Sequence, residues 1–232
     1  MNRLPMHLSA IFAMLWAGSA WAADAVHPEV VELFQSQGCS SCPPADANVM
    51  ALADRPDILA LSFGVTYWDQ LGWKDTFASP VFTARQWDYA HGLGHSEVFT
   101  PQVVINGRRD GDGINPANLR ALLSAGDRGA GGPTVVVRGD RVMIGAGAAP
   151  SGGADVWLAR YDPRIVMVPI QRGENGGRTL PHRNVVHVLV RLGRWDGAAT
   201  VFALPPAAGP GLLNAVLVQA GRGGTILAAT RG

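Results

Sequence analysis

The sequence predicts an α/β unit followed by an all-β, sandwich-like unit. Three observations predict it. The only two cysteines, Cys39 and Cys42, stand between a strand-like apolar run and a helix-like run. Strand and helix patterns then alternate as far as residue 126. Beyond Gly129 short strands follow one another, separated by Gly- and Pro-rich turns. The division that results is a signal peptide at 1–22, an α/β domain with the CxxC at 23–130 and a β-rich domain at 131–232.

Residues 1–22 carry a positive start at Arg3, a ten-residue apolar run over 8–17 and Ala20-Trp21-Ala22, a small-x-small cleavage pattern. The run is shorter than the roughly 20 apolar residues of a membrane span. Export is therefore expected, with the mature protein periplasmic or secreted and free of the membrane after signal cleavage; the rival reading of the same run is an uncleaved anchor.

In the mature part, residues 30–34 (VVELF) are β-branched and apolar and end at Gln-Ser-Gln-Gly, a buried strand. After the cysteines, Ala45, Val49, Leu52 and Ala53 recur at helical spacing. The CxxC thus lies where a strand hands over to a helix, and there unpaired N–H groups and the helix dipole favour a thiolate. A second apolar strand covers 58–65. Ser79-Pro80 is an N-cap followed by Pro at the first helical position, opening a helix that runs to about residue 92. Thr100-Pro101 leads into a strand over 102–105, Asn106-Gly107 is a hairpin turn, and Asn115-Pro116 starts a last helix that stops at Gly126. Gly131-Gly132-Pro133 marks a linker. The strands expected after it cover 134–138, 141–144, 155–161, 165–170, 184–192, 200–204, 214–220 and 225–229.

Composition narrows the function. The formal charge is +1, and charged residues are 16% of the chain, so the basic excess of a nucleic-acid binder is missing. Charge is uneven, however. Residues 23–130 hold seven basic and thirteen acidic side chains, and residues 131–232 hold eleven and five. Two units of opposite charge that attract each other are expected.

The cysteine spacing narrows it further. The restraint a disulfide puts on the unfolded chain grows with the loop it closes, and a Cys39–Cys42 bond closes a very short one. Such a bond is a poor staple and suits reversible chemistry. A zinc ribbon would need a second CxxC or a pair of histidines.

The order strand, CxxC, helix, strand, helix, Thr-Pro, hairpin, helix resembles the thioredoxin fold over residues 28–126. The stretches VELFQSQGCSSCPPAD, TYWDQLGWKD and FTPQVVINGRRDGDG resemble a narrower group, the secreted thioredoxin-like "domain of unknown function 1223" family. The resemblance implies a cis Thr100–Pro101 bond against the CxxC, with Thr100 and Pro101 forming a docking face for substrate. The resemblance imports little function; the cysteine spacing makes a thiol–disulfide oxidoreductase the leading expectation, with Cys39 attacking as the residue nearer the start of the motif, Cys42 resolving, and no cofactor beyond the redox-active disulfide. Its partners would be protein thiols or disulfides and a further redox protein.

Three features depart from that pattern. Pro43 and Pro44 follow the second cysteine. Leu33 stands where thioredoxins carry a buried Asp. An aromatic-rich insertion runs over 67–77. In it Asp69 is a candidate proton acceptor, and Trp68, Trp73 and Phe77 form either a docking wall or the packing of the insertion itself. His95 either joins the cysteines as a soft-metal ligand for copper or zinc or sits at a helix C-terminus. His182 and His187 are read as surface or edge residues. Two further functions stay open beside the oxidoreductase: a copper- or zinc-binding or delivery protein, and a binding module whose CxxC is a local disulfide. No metal site is assigned.

Overall fold

In the computed structural model, which describes residues 23–207 and 209–232, one large mixed sheet carries both halves of the chain. The signal-peptide reading falls on residues 1–22, outside the described residues.

The first half supplies β1 (Glu29–Gln35), α1 (Cys42–Met50), β2 (Ile58–Gly64), α2 (Pro80–Leu93), β3 (Gln102–Ile105), β4 (Arg109–Gly111) and α3 (Pro116–Gly126). The second half supplies β5 (Val135–Arg138), β6 (Arg141–Ile144), β7 (Ala154–Asp162), β8 (Val166–Pro169), β9 (Thr179–His182), β10 (Val185–Trp195), β11 (Thr200–Ala203), β12 (Leu213–Ala220) and β13 (Ile226–Arg231).

Helix starts follow their caps. Ser79 accepts a hydrogen bond from the Val81 N–H, and Asn115 accepts from those of Ala117 and Asn118. Pro43 and Pro44 occupy the first turn of α1, where a missing N–H leaves no helical bond unmade. At Asn106 and Gly107 φ is 50° and 63°, the left-handed pair that the tight hairpin between β3 and β4 requires.

Strands β1 and β2 run parallel and are buried along their whole length because both faces of the sheet are covered. On one face Val30, Phe34, Leu59, Leu61 and Phe63 pack with Phe82 and Tyr89 of α2. On the other, Val31, Leu33, Ile58 and Ala60 pack with Ala45 and Val49 of α1 and with Leu119 and Leu123 of α3.

The sheet order is β13-β12-β7-β10-β2-β1-β3-β4. Four strands of the second half therefore extend the sheet of the first, and the join is a parallel contact between β10 and β2. This corrects the expectation that the second half forms a separate sandwich with its own two sheets. The sandwich-like part is local: β5, β6 and β11 form a three-stranded sheet whose Val142 and Ile144 pack on Val156, Leu158, Val216 and Val218. The hairpin β8–β9 stands apart as a two-stranded sheet with a small apolar cluster of Val168, Ile170 and Leu180. Acidic residues of the first half do meet basic residues of the second, in Asp54–Arg183 at 2.5 Å and Asp88–Arg222 at 2.6 Å.

A buried polar tie runs through the first core. Arg85 of α2 donates to both carboxylate oxygens of Glu32, at 2.7 and 3.0 Å, and to Gln219 Oε1 of β12 at 3.1 Å. Tyr89 also donates to Glu32. The guanidinium stacks 5.0 Å from the Tyr89 ring and 5.5 Å from that of Trp157. A buried charge that loses its partner is left without solvent or counter-charge. Arg85→Leu should therefore destabilise the protein by about 3–5 kcal/mol, and Arg222→Ala at the exposed pair by about 0–1 kcal/mol. Urea unfolding of the two variants measures the contrast, and equal losses would refute it.

Candidate functional site

The loop between β1 and α1 is built from tight turns. The Gly38 N–H donates to Ser36 Oγ, the Cys39 N–H to Ser36 O and the Cys42 N–H to Cys39 O. These turns hold the two cysteine Cα atoms 5.5 Å apart, and the cysteines are joined as a disulfide. Both residues are buried, with Cys39 0% and Cys42 1% exposed.

Thr100–Pro101 is a cis peptide, as the resemblance implied, and it enters β3 beside the disulfide. The Thr100 carbonyl lies 3.8 Å from Cys39 Sγ, and Ser41 Oγ donates to it at 3.5 Å. Trp68 Nε1 donates to Thr100 Oγ1 at 2.7 Å. Cys39, Cys42, Thr100, Pro101 and Trp68 thus come together.

The other candidates make contacts of their own. Asp69 accepts from the Asp75 N–H at 3.1 Å, within a 3-10 turn over Asp69–Leu71. His95 is engaged by Asp110 of β4 at 2.9 Å and meets the Phe99 ring edge-on. Trp73 and Phe77 pack against the β8–β9 cluster, and Trp68 packs against the main core. The insertion therefore serves as packing and also as the seat of the hairpin. Among the described residues no group of three or more His, Cys, Asp or Glu side chains is arranged to hold a metal ion.

Several residues of the site escaped the sequence reading. Gln37 is pinned by Asp75, which accepts from its N–H at 2.7 Å, and by Trp73 Nε1, which donates to its Oε1 at 2.9 Å. From the tip of the β8–β9 hairpin, Asn175 Nδ2 donates to the carbonyls of Gln37 and Cys39 at 3.0 and 2.8 Å. Its neighbour Glu174 accepts from Ser40 N and Oγ at 3.0 and 2.7 Å. Asp46 lies one turn along α1 from Cys42 and shares its buried face with Ala45 and Val49. A polar residue on that apolar face was the one available signal for it.

His182, at the end of β9, is 1% exposed, not the surface or edge residue expected from sequence. Pairing with β8 turns it inward, where its Nδ1 lies 4.0 Å from Asp46 and its ring meets Phe77 edge-on. Both ring nitrogens are buried without a hydrogen-bond partner. Burial pushes the imidazole down to about 4. Burial, together with the charge of Asp75, pushes the Asp46 carboxyl well above the usual carboxylate range. Asp75 is itself pushed up to about 6, chiefly by burial and in part offset by N–H donors from Gln37 and Phe77.

A family model described as "Protein of unknown function (DUF1223)" matches residues 30–219. A crystal structure of an Agrobacterium tumefaciens protein is 33% identical, covers 91% of this chain and 95% of its own, and superposes with a TM-score of 0.73. HBP35 of Porphyromonas gingivalis shares the fold alone, at 12% identity, with 89% of this chain and 74% of that one covered and a TM-score of 0.57. No curated protein matches the chain.

The depressed imidazole has a consequence for stability. Between about pH 6.5, the unfolded value, and about pH 4, the unfolded chain binds a proton that buried His182 does not, so stability falls as pH falls. The raised Asp75 acts in the opposite sense, losing stability as pH rises from about 4 to about 6. His182→Phe should remove the first slope and leave the second. Relative to wild type it should gain on the order of 2–3 kcal/mol between about pH 7.5 and about pH 4.5. Urea unfolding at the two pH values checks this, and parallel pH profiles would refute it.

Proposed function

The chain belongs to the DUF1223 family, whose description names no activity, and we propose that it is a thiol–disulfide oxidoreductase working through Cys39 and Cys42. The observation that carries the reading is the disulfide at the start of α1, with the Thr100 carbonyl 3.8 Å from Cys39 Sγ. A thioredoxin-like reading of residues 28–126 rests on the order β1, CxxC, α1, β2, α2, Thr-Pro, β3, β4, α3.

In the reductive direction a partner thiolate attacks Cys39 Sγ. The new S–S bond joins Cys39 to the partner, the Cys39–Cys42 bond breaks, and its electron pair stays on Cys42 Sγ. Asp46 shares the buried helix face of Cys42, and burial favours the protonated form of its carboxyl, which makes it the candidate proton donor to the leaving thiolate. In the oxidative direction the proton returns to Asp46 as Cys42 attacks the mixed disulfide and releases the partner thiolate. Thr100 and Pro101 border Cys39 and offer backbone groups to an extended peptide. The disulfide is the only redox group the reaction needs. Protein thiols or disulfides are the substrates, with a separate redox protein restoring the pair. The leader pattern of residues 1–22 supports a periplasmic or secreted setting.

The complete burial of Cys39 favours a second reading, a binding module with a local, unreactive disulfide. Reactivity separates the two. In the oxidoreductase, Cys39→Ser abolishes exchange with a model disulfide, Cys42→Ser accumulates mixed disulfides, and Cys39 of the reduced protein alkylates faster than Cys42. The wild-type pair also equilibrates with a glutathione buffer as a middling oxidant. A disulfide that never equilibrates with glutathione would assign the protein to the binding modules.

A further inference from the structure

In-line attack on a disulfide needs an open approach to one sulfur along the S–S axis, and neither cysteine has one, at 0% and 1% exposure. Among the described residues, every polar contact of the β8–β9 hairpin tip with the first half goes to residues 37–40. Asn175, itself fully buried, bonds the carbonyls of Gln37 and Cys39, and Glu174 bonds Ser40. Gly173, at φ 78°, brings its backbone so close that a Cβ there would lie 3.8 Å from Gly38 Cα and 3.6 Å from Trp73 Cβ.

The hairpin is also weakly anchored compared with the rest of the fold. It belongs to neither larger sheet. Its cluster holds three buried residues, Val168, Ile170 and Leu180, seated on Trp73 and Phe77 of the insertion. Ile165 and Met167 remain exposed, at 59% and 56%. Its tip carries Gly173, Gly176 and Gly177. A unit with few buried apolar contacts opens at lower free energy than the core around it.

We infer that the β8–β9 hairpin is a cover over the Cys39–Cys42 disulfide, latched by Asn175, which must lift before any thiol reaches Cys39. The inference rests on the redox reading of the site. It makes hairpin opening a step ahead of exchange and the tip the element that determines which thiols react. Opening breaks the two Asn175 bonds and the Glu174–Ser40 contact. The partner thiolate then attacks Cys39 as described, and closure follows release of the product.

The test is the rate at which dithiothreitol reduces the full mature protein, followed over a wide range of dithiothreitol concentration at fixed pH. One dithiothreitol thiolate forms the mixed disulfide with Cys39. The second displaces Cys39 as a thiolate and leaves the reagent as its cyclic disulfide. For a latched cover the wild-type rate levels off at high reagent, at the rate of opening. Asn175→Ala should raise that plateau about tenfold or more, since two buried hydrogen bonds are lost. A second variant replaces residues 171–177 by Asn-Gly, closing the hairpin between Ile170 and Arg178 as a tight turn. It removes all the tip contacts without touching the strands and should react at least as fast as Asn175→Ala. Urea midpoints near that of wild type show that both variants remain folded.

Rates that stay proportional to dithiothreitol and coincide in all three proteins would overturn the cover. If the shortened variant is reduced rapidly but neither it nor wild type equilibrates with glutathione, the cover stands and the oxidoreductase reading falls. A disulfide that resists reduction in all three proteins overturns both.

Discussion

Within the large sheet, the strands of the far half join those of the first through one short parallel contact, where β10 meets β2. Only Val185 and Ser62 pair in register there. Asn184 makes the join possible. Its backbone adopts φ 53°, its carbonyl accepts from the Ser62 N–H at 2.9 Å, and its side-chain amide donates to Ala60 O at 2.8 Å. Asparagine tolerates the left-handed region better than other side chains and carries the donor that Ala60 needs. Once β10 is seated, β7, β12 and β13 extend the same sheet, and Val186 and Leu189 enter the core that already holds Leu61 and Phe63. The chain just before Asn184 is fixed by the same event. His182 is two residues upstream in β9, so the join brings β9 to α1 and the hairpin tip to the cysteine loop.

The Glu32–Arg85–Gln219 tie acts on the opposite side of the same constraint. Two charges removed from water are expensive, and their attraction repays the loss only with good geometry and further hydrogen bonds. Both conditions hold here, with a two-pronged contact, a Tyr89 hydroxyl and a Gln219 acceptor. The directionality of that set specifies how β12 lies relative to β1 and α2. Apolar contacts such as Ala215 and Leu217 against α2 tolerate sliding, but the guanidinium does not. The sheet is thus joined in the middle by Asn184 and held in place across its α2 face by Arg85.

Local signals made much of this legible in the sequence. N-caps at Ser79 and Asn115 and the Asn106-Gly107 turn act within a few residues of themselves, and each appears where its chemistry places it. Strand positions in the second half were legible for the same reason, since alternation and turn residues are local. Their partners were not. Whether a β-rich stretch closes on itself or extends another sheet is decided by long-range pairing, and Asn184 looks like any loop asparagine until Ala60 is beside it. Strand β9 was missed because Pro181 removes a ladder donor and argues against a strand; it is tolerated in a two-stranded hairpin, where every strand is an edge. The same omission hid His182, and with it the neighbour of Asp46. At the site, Cys39, Cys42 and Thr100-Pro101 were legible from spacing and resemblance, whereas Asn175, whose contacts cross 136 and 138 residues of chain, was not.

The proposed redox reading accounts for the disulfide and its surroundings together. A bond between residues three apart removes little freedom from the unfolded chain, so it adds little stability to the fold. Yet the structure orders a glycine-rich tip over it, and ordering backbone costs roughly 1–2 kcal/mol per residue. Three buried apolar residues and a few hydrogen bonds are what offset that cost. An unreactive disulfide needs no such cover, since nothing is gained by excluding thiols from a bond that contributes little. A reactive pair does need one, because indiscriminate exchange with small thiols would discharge it. On the proposed redox reading, the short loop of the disulfide and the hairpin seated beside it fit one physical design, in which the hairpin sets which thiols reach the bond.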